Sequence, residues 1–209
     1  SKLTLLIVLV LFLHVANADS GDNHVEIDSL NSIAQNELSN SQFRAELLAR
    51  RTLSLSISNN YLKGQAKAYQ ILGHSAINLG LYDTALVDFQ KAIKLRKEIG
   101  DEILLAQSYT SLATTLVNYS HELPESDSFY RQRAFDLYQK SRAIYVAEND
   151  SENICKNFLD MGVLYAHLSN LDTSRDLFMK ALELSLNIPN NKLAIKSIQN
   201  LSKWFLDAE

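Results

Sequence analysis

One recurrence constrains this chain more than any other feature. The pair Leu72-Gly73 returns as Leu112-Ala113, Met161-Gly162 and Leu201-Ser202, a large apolar residue followed by a small one each time. The first two copies lie forty residues apart, as do the last two, and the middle interval is nine residues longer. A second pattern keeps the same step: Ala85, Phe89 and Ala92 are matched by Ala134, Tyr138 and Ser141, then by Ser174, Phe178 and Ala181. A fainter copy lies upstream in Ala45, Ala49 and Thr52. A period in this range is the signature of one supersecondary unit used several times.

Each unit reads as two helices. Before Gly80, Leu72, Ala76 and Leu79 recur at helical spacing; after it, Tyr82, Ala85, Leu86, Phe89, Ala92 and Ile93 do the same. Gly73 sits inside the first of these helices, where glycine costs about 1 kcal/mol relative to alanine. The cost is tolerated if the first helix must approach its partner closely there, which also explains Ala113, Gly162 and Ser202 in the same register. The aromatic of the second pattern then fills the space beside the close contact, as dense packing requires. Only 6 Gly and 2 Pro in 209 residues leave few helix breakers, so the expected class is all-α.

With these residues in view, the chain resembles the tetratricopeptide repeat proteins. The family's pattern is found in Tyr69, Leu72-Gly73, Ala76, Ala85, Phe89 and Ala92, and again in Phe158, Met161-Gly162, Tyr165, Ser174, Phe178, Ala181 and Pro189. The middle copy is degenerate, with Ala113 for the glycine and Ser141 for an alanine. The forty-residue step exceeds the family's usual length of about 34. It is similar to a subtype with extended helices, as in extracytoplasmic repeat regions of bacterial sensor proteins, and "LRKEIGD" (Leu95 to Asp101) matches the helix ends of that subtype. The resemblance implies a right-handed helix-turn-helix repeat solenoid over residues 19–209, with repeats at 27–59, 62–100, 102–148 and 151–189 and a half repeat at 192–209.

Local signals agree with that division. Asn170 is placed to cap a helix, and Asp83 and Asp172 fall in first turns, where the helix dipole favours carboxylates. Gly100 and Asn149 fall where second helices should stop. The stretch Asn118 to Tyr130, "NYSHELPESDSFY", absorbs the nine extra residues as a longer helix end plus a loop turning at Pro124. Leu201, Trp204 and Phe205 belong to a first helix with no second helix after it, so the solenoid is expected to continue past Glu209.

The N-terminus carries an address. Lys2 precedes the apolar run Leu3 to Leu13, followed by Ala16-Asn17-Ala18, the pattern of a signal peptide spanning 1–18 and cleaved after Ala18. Eleven apolar residues fall well short of the roughly 20 that a spanning helix needs. The expected location is periplasmic or extracellular, with membrane contact only through an uncleaved N-terminus or a further segment. The initial Ser in place of Met suggests a fragment.

Catalytic and metal chemistry finds little support. "HELPE" at His121 to Glu125 lacks the second His of a zinc helix, and Pro124 would break the helix. Cys155, the single cysteine, excludes an intrachain disulfide and aligns with Ala66 and Ala106, so it reads as a small packing residue. No phosphate loop or nucleophile elbow is present, and no cofactor is expected. Three Asn-x-Ser sequons, at Asn118, Asn149 and Asn200, arise easily in an Asn- and Ser-rich chain. With 20 basic against 24 acidic residues, the net charge of -4 gives no global reason to bind nucleic acid.

The resemblance therefore implies a non-catalytic protein–protein interaction module that takes a protein or peptide segment in a concave groove. It acts as an exported adaptor or as the sensory region of a larger signalling protein; the alternative is a non-catalytic segment of a secreted enzyme. On the repeat register Lys67, Lys156 and Lys196 share one position near the start of successive first helices, with Gln107 between them. In the family that position tends to face the groove. Gln70, His74, Asn78, Asn118 and His167 should lie deeper along the same wall, which would suit an acidic partner. The Lys-Asn-Arg set of the family's carboxylate clamp is not matched. Lys91, Lys140 and Lys180 form a comparable row on the second helices, a built-in control.

Overall fold

The computed structural model describes residues 23–120, 127–189 and 191–207. The signal-peptide reading and the "HELPE" stretch lie outside the described residues. Among the described residues the secondary structure is entirely helical. Helix α1 covers 23–37, followed by α2 (Gln42–Ser58), α3 (Leu62–Asn78), α4 (Tyr82–Ile99), α5 (Glu102–Ser120), α6 (Asp127–Ala147), α7 (Ser151–His167), α8 (Leu171–Ser185) and α9 (Lys192–Asp207). They group into two compact units that divide between Ile99 and Gly100.

In the first unit, α2 packs on α3 and α3 on α4. Ala34, Ala49, Ile71 and Leu72 form its buried centre, with Leu38, Leu48, Leu53 and Tyr69 against it. The close approach inferred at Gly73 is present: a Cβ built there would lie 2.6 Å from the Phe89 ring, which is itself fully buried. Polar contacts fix the register of α1. Asn31 Nδ2 donates to the Gly64 carbonyl at 3.2 Å, and Thr52 Oγ1 donates to Asn31 Oδ1 at 2.8 Å. Asn31 is 1% exposed, and a buried amide is stabilised only when bonded in this way.

The second unit repeats the plan with α5 on α6, α6 on α7, α7 on α8, and α9 against α8 and α7. Cys155, Leu159, Phe178, Ala181, Leu193 and Leu201 form one apolar cluster. Cys155 is fully buried, with its Sγ 3.2 Å from the Ala181 carbonyl, the packing role its alanine counterparts suggest. A Cβ on Gly162 would come within 2.6 Å of Phe178 Cδ1, and Ser174 Oγ donates to the Gly162 carbonyl at 2.9 Å. The small-aromatic contact of Gly73 and Phe89 thus recurs in a second helix pair.

Tight turns join helices by one geometry. Asn60, Gly80, Asn149 and Ser169 have φ of 50°, 72°, 54° and 56°. The residue after each donates its N–H back across the helix end: Tyr61 to Ser56, Leu81 to Ala76, Asp150 to Tyr145 and Asn170 to Tyr165, at 2.8–3.0 Å. This left-handed closure satisfies carbonyls that the helix leaves open. Two following helices start on side-chain caps, with Asp150 accepting from Asn153 N at 3.0 Å and Asn170 from Thr173 N at 3.2 Å.

Candidate functional site

The nine candidate residues divide between the units, and each set is built differently. In the first unit, Lys67, Gln70, His74 and Asn78 follow one another along α3 at three- and four-residue spacing, one face of the helix. Lys67 is half-buried and donates Nζ to Gln35 Oε1 of α1 at 3.1 Å. Gln70 is buried, with its Nε2 2.9 Å from His74 Nε2 and its Oε1 accepting from Arg96 of α4 at 3.0 Å. The His74 ring meets the edge of Phe89, centroids 5.1 Å apart. Asn78, at the exposed end of the wall, donates to Gln42 of α2 at 3.0 Å.

This wall is electropositive. Burial lowers the Lys67 ammonium below its usual range, and the Arg96 guanidinium adds to the effect. Burial, reinforced by Lys67 and Arg96, holds the His74 imidazole down at about 4, so it is neutral at pH 7. Arg96 is the residue that the sequence reading missed. It is 2% exposed although it carries a permanent charge. A signal was available: Arg96 lies seven residues after Phe89, on the stripe that the helix turns inward.

The second-unit candidates meet a carboxylate. Lys156, one helical turn into α7, pairs with Glu152 at 2.5 Å. Between Lys156 and Lys196 of α9 lies Asp160, whose carboxyl is pushed up to about 6 by burial, while Lys196 and Lys156 pull it back in part. These two lysines therefore face an acid of their own unit, a feature that the spacing Lys156-Asp160 carried but the lysine register passed over. His167 ends α7, exposed, and its carbonyl accepts from Arg131 at 2.5 Å. Gln107 and Asn118 both sit half-buried on α5. His167 also borders a pocket of about 180 Å³ between α7, α8 and α9, lined by Val163, Phe178, Asn200 and Trp204 among others.

The control row differs from the wall. Lys91 lies over the Tyr69 ring at 4.9 Å and 4.0 Å from Asp88, and Lys140 and Lys180 are exposed. Among the described residues no group of three His, Cys, Asp or Glu is placed to hold a metal ion, and no helix is long and apolar enough to cross a membrane.

Residues 66–99, most of α3 and all of α4, match the family profile described as Tetratricopeptide repeat. This chain carries a tetratricopeptide repeat. The search of curated proteins by sequence finds no match. Among solved structures, the chain is similar to BtubC (BKLC) from P. vanneervenii, with a TM-score of 0.75 and 18% identity over 93% of this chain and 78% of that one. It is also similar to a Podosopora anserina protein of kinesin-light-chain type with nearly identical TPR-like repeats. The TM-score there is 0.68 at 11% identity, over 88% of this chain and 86% of the other. A third likeness is to the Signal Transduction ATPase with Numerous Domains protein with a tetratricopeptide repeat sensor from Pyrococcus horikoshii. Its TM-score is 0.65 at 15% identity, covering 88% of this chain and 28% of that one. These likenesses establish an all-α helical repeat fold.

Proposed function

We propose that this chain is a non-catalytic binding module, and that the α3 wall of the first unit receives an acidic segment of a partner protein. The observation that carries the reading is the clustering of Lys67, His74 and Arg96 about Gln70, where each cation depresses its neighbours. An incoming carboxylate relieves that repulsion, and Gln70 and Asn78 supply amide groups beside it. The second unit contributes less to acid capture in this reading, because Asp160 already stands between Lys156 and Lys196.

Pull-down and fluorescence titration against an array of Glu- and Asp-rich peptides test the proposal. Lys67→Glu should abolish capture by the wild-type chain's best ligand, and Lys91→Glu with Lys180→Glu should leave it intact. Binding should also weaken as salt is raised. Equal loss from both sets of variants would reduce the effect to nonspecific charge attraction, and no loss from either would remove the wall from the account.

We place the module outside the cytoplasm, on the Lys2 to Ala18 pattern; N-terminal sequencing of exported protein should then begin at Asp19. The Pyrococcus horikoshii likeness, one of fold alone, favours a sensory setting within that reading. A spanning helix and a signalling domain in the full gene would support it.

A further inference from the structure

Helix α9 carries two opposed apolar stripes. Leu193, Ser197 and Leu201 are buried, the leucines against the cluster of α7 and α8, and Trp204 anchors the helix by donating Nε1 to the Leu171 carbonyl at 2.7 Å. On the other side Ile195, Ile198, Ser202 and Phe205 recur at three- and four-residue spacing and are all exposed, Ile198 at 52% and Phe205 at 61%. At 100° per residue these two sets lie on opposite faces.

The repeat register says what that second face is for. Ile195 corresponds to Ala66, Ala106 and Cys155; Ser202 corresponds to Gly73, Ala113 and Gly162; Phe205 corresponds to Ala76, Leu116 and Tyr165. In the three earlier first helices nearly all of these positions are buried, and only Tyr165 remains half-buried. What covers them is the second helix of the same repeat: Phe89 over Gly73, Phe178 over Gly162, and the Ala181 carbonyl over Cys155. The covering helices share one face, written small-x3-aromatic-x2-small. The face on α9 is thus a continuation of an interface already built twice in atomic detail, with its covering helix absent among the described residues.

We propose that Ile195, Ile198, Ser202 and Phe205 of α9 form a docking surface for an amphipathic helix of a partner protein whose face reads small-x3-aromatic-x2-small. A second copy of the chain does not supply such a face. Ala85, Phe89 and Ala92 of α4, Ala134, Tyr138 and Ser141 of α6, and Ser174, Phe178 and Ala181 of α8 are all buried in their own pairs. Lys196 and Lys203, seven residues apart and both exposed, form one flank of the surface. The partner helix accordingly carries acidic residues along the matching edge. This surface is independent of the α3 wall.

A dye-labelled peptide with the α4 sequence, Tyr82 to Ile99, carries the required face and serves as the probe. Titrated with the full chain, its anisotropy should rise saturably. A Phe89→Ala version should bind at least about tenfold more weakly, as loss of a central aromatic anchor does. Ile198→Asp and Phe205→Asp, at exposed positions that leave the helical circular dichroism unchanged, should abolish binding. Lys67→Glu should not alter it, which separates this surface from the acid-binding wall. The proposal is overturned if the α4 peptide fails to bind, if the Phe89→Ala peptide binds equally, or if the α9 variants bind as wild type does. Sedimentation closes the remaining route: a dimer of the chain that Phe205→Asp dissociates would make a second copy the occupant, and overturn the assignment to a partner helix.

Discussion

The Cβ that Gly162 lacks has no room to form, because the Phe178 ring, 4% exposed, already occupies its place. A larger side chain must displace a ring that is held on all sides. Gly162→Leu is therefore expected to lower the free energy of unfolding by about 1–3 kcal/mol, the usual range for overpacking. On a Phe178→Leu background the same substitution should cost less, and a double-mutant cycle in urea measures that coupling. Two other residues set a pH dependence of opposite signs. The His74 imidazole titrates near 4 when folded and near its ordinary 6.5 when unfolded. The unfolded chain binds the proton first as pH falls, so His74 removes stability between about pH 6.5 and 4, on the order of 3 kcal/mol. Asp160, raised to about 6, keeps its proton in the folded state over the window where the unfolded carboxyl loses it. Its contribution therefore falls as pH rises from about 4 to 6. Urea midpoints from pH 4 to 7 should shift accordingly: His74→Gln flattens the loss at acid pH, and Asp160→Asn steepens it.

At the scale of helices, the ends were as informative as the faces. Asn170 and the acidic first-turn residues were legible because capping is local, decided by a side chain two or three residues from the amide it serves. Asp150 was not singled out, yet its carboxylate accepts from both the backbone N and the Nδ2 of Asn153. Asp150→Ala should cost about 1 kcal/mol in thermal or urea unfolding, with Asp150→Asn recovering much of it. Turn closure shows the same split. Gly100 and Asn149 are residue types that mark a left-handed turn, whereas Ser169 adopts a φ of 56° without any such mark. A serine there is costly and rare, and only the neighbouring backbone bonds from Ser169 and Asn170 reveal why the chain turns. Arg96 belongs to this scale as well: its position on the inner stripe was plain, but its hydrogen bond to Gln70 depends on how two helices pack.

For the molecule as a whole, repetition made the fold readable. A small residue facing an aromatic at a fixed step states a packing relation twice over, once in each helix, so the pairing of α3 with α4 and of α7 with α8 could be inferred without coordinates. The candidate site was less legible, because a row of lysines in register says nothing about the acid that stands between two of them. Asp160 faces lysines from two different helices, an encounter that no single helical face records. A last consequence concerns light rather than affinity. Trp204 is the single tryptophan of the chain, fixed by its bond to the Leu171 carbonyl, with the Arg175 guanidinium 5.5 Å above the ring and Phe205 edge-on at 4.9 Å. Its emission reports on the seating of α9 upon α7 and α8, while far-ultraviolet circular dichroism averages over every helix. In repeat folds each element leans only on its neighbours, and an end can loosen before the rest. The fluorescence of Trp204 should accordingly change at lower urea than the dichroism, and coincident curves would mean that α9 melts together with the whole chain.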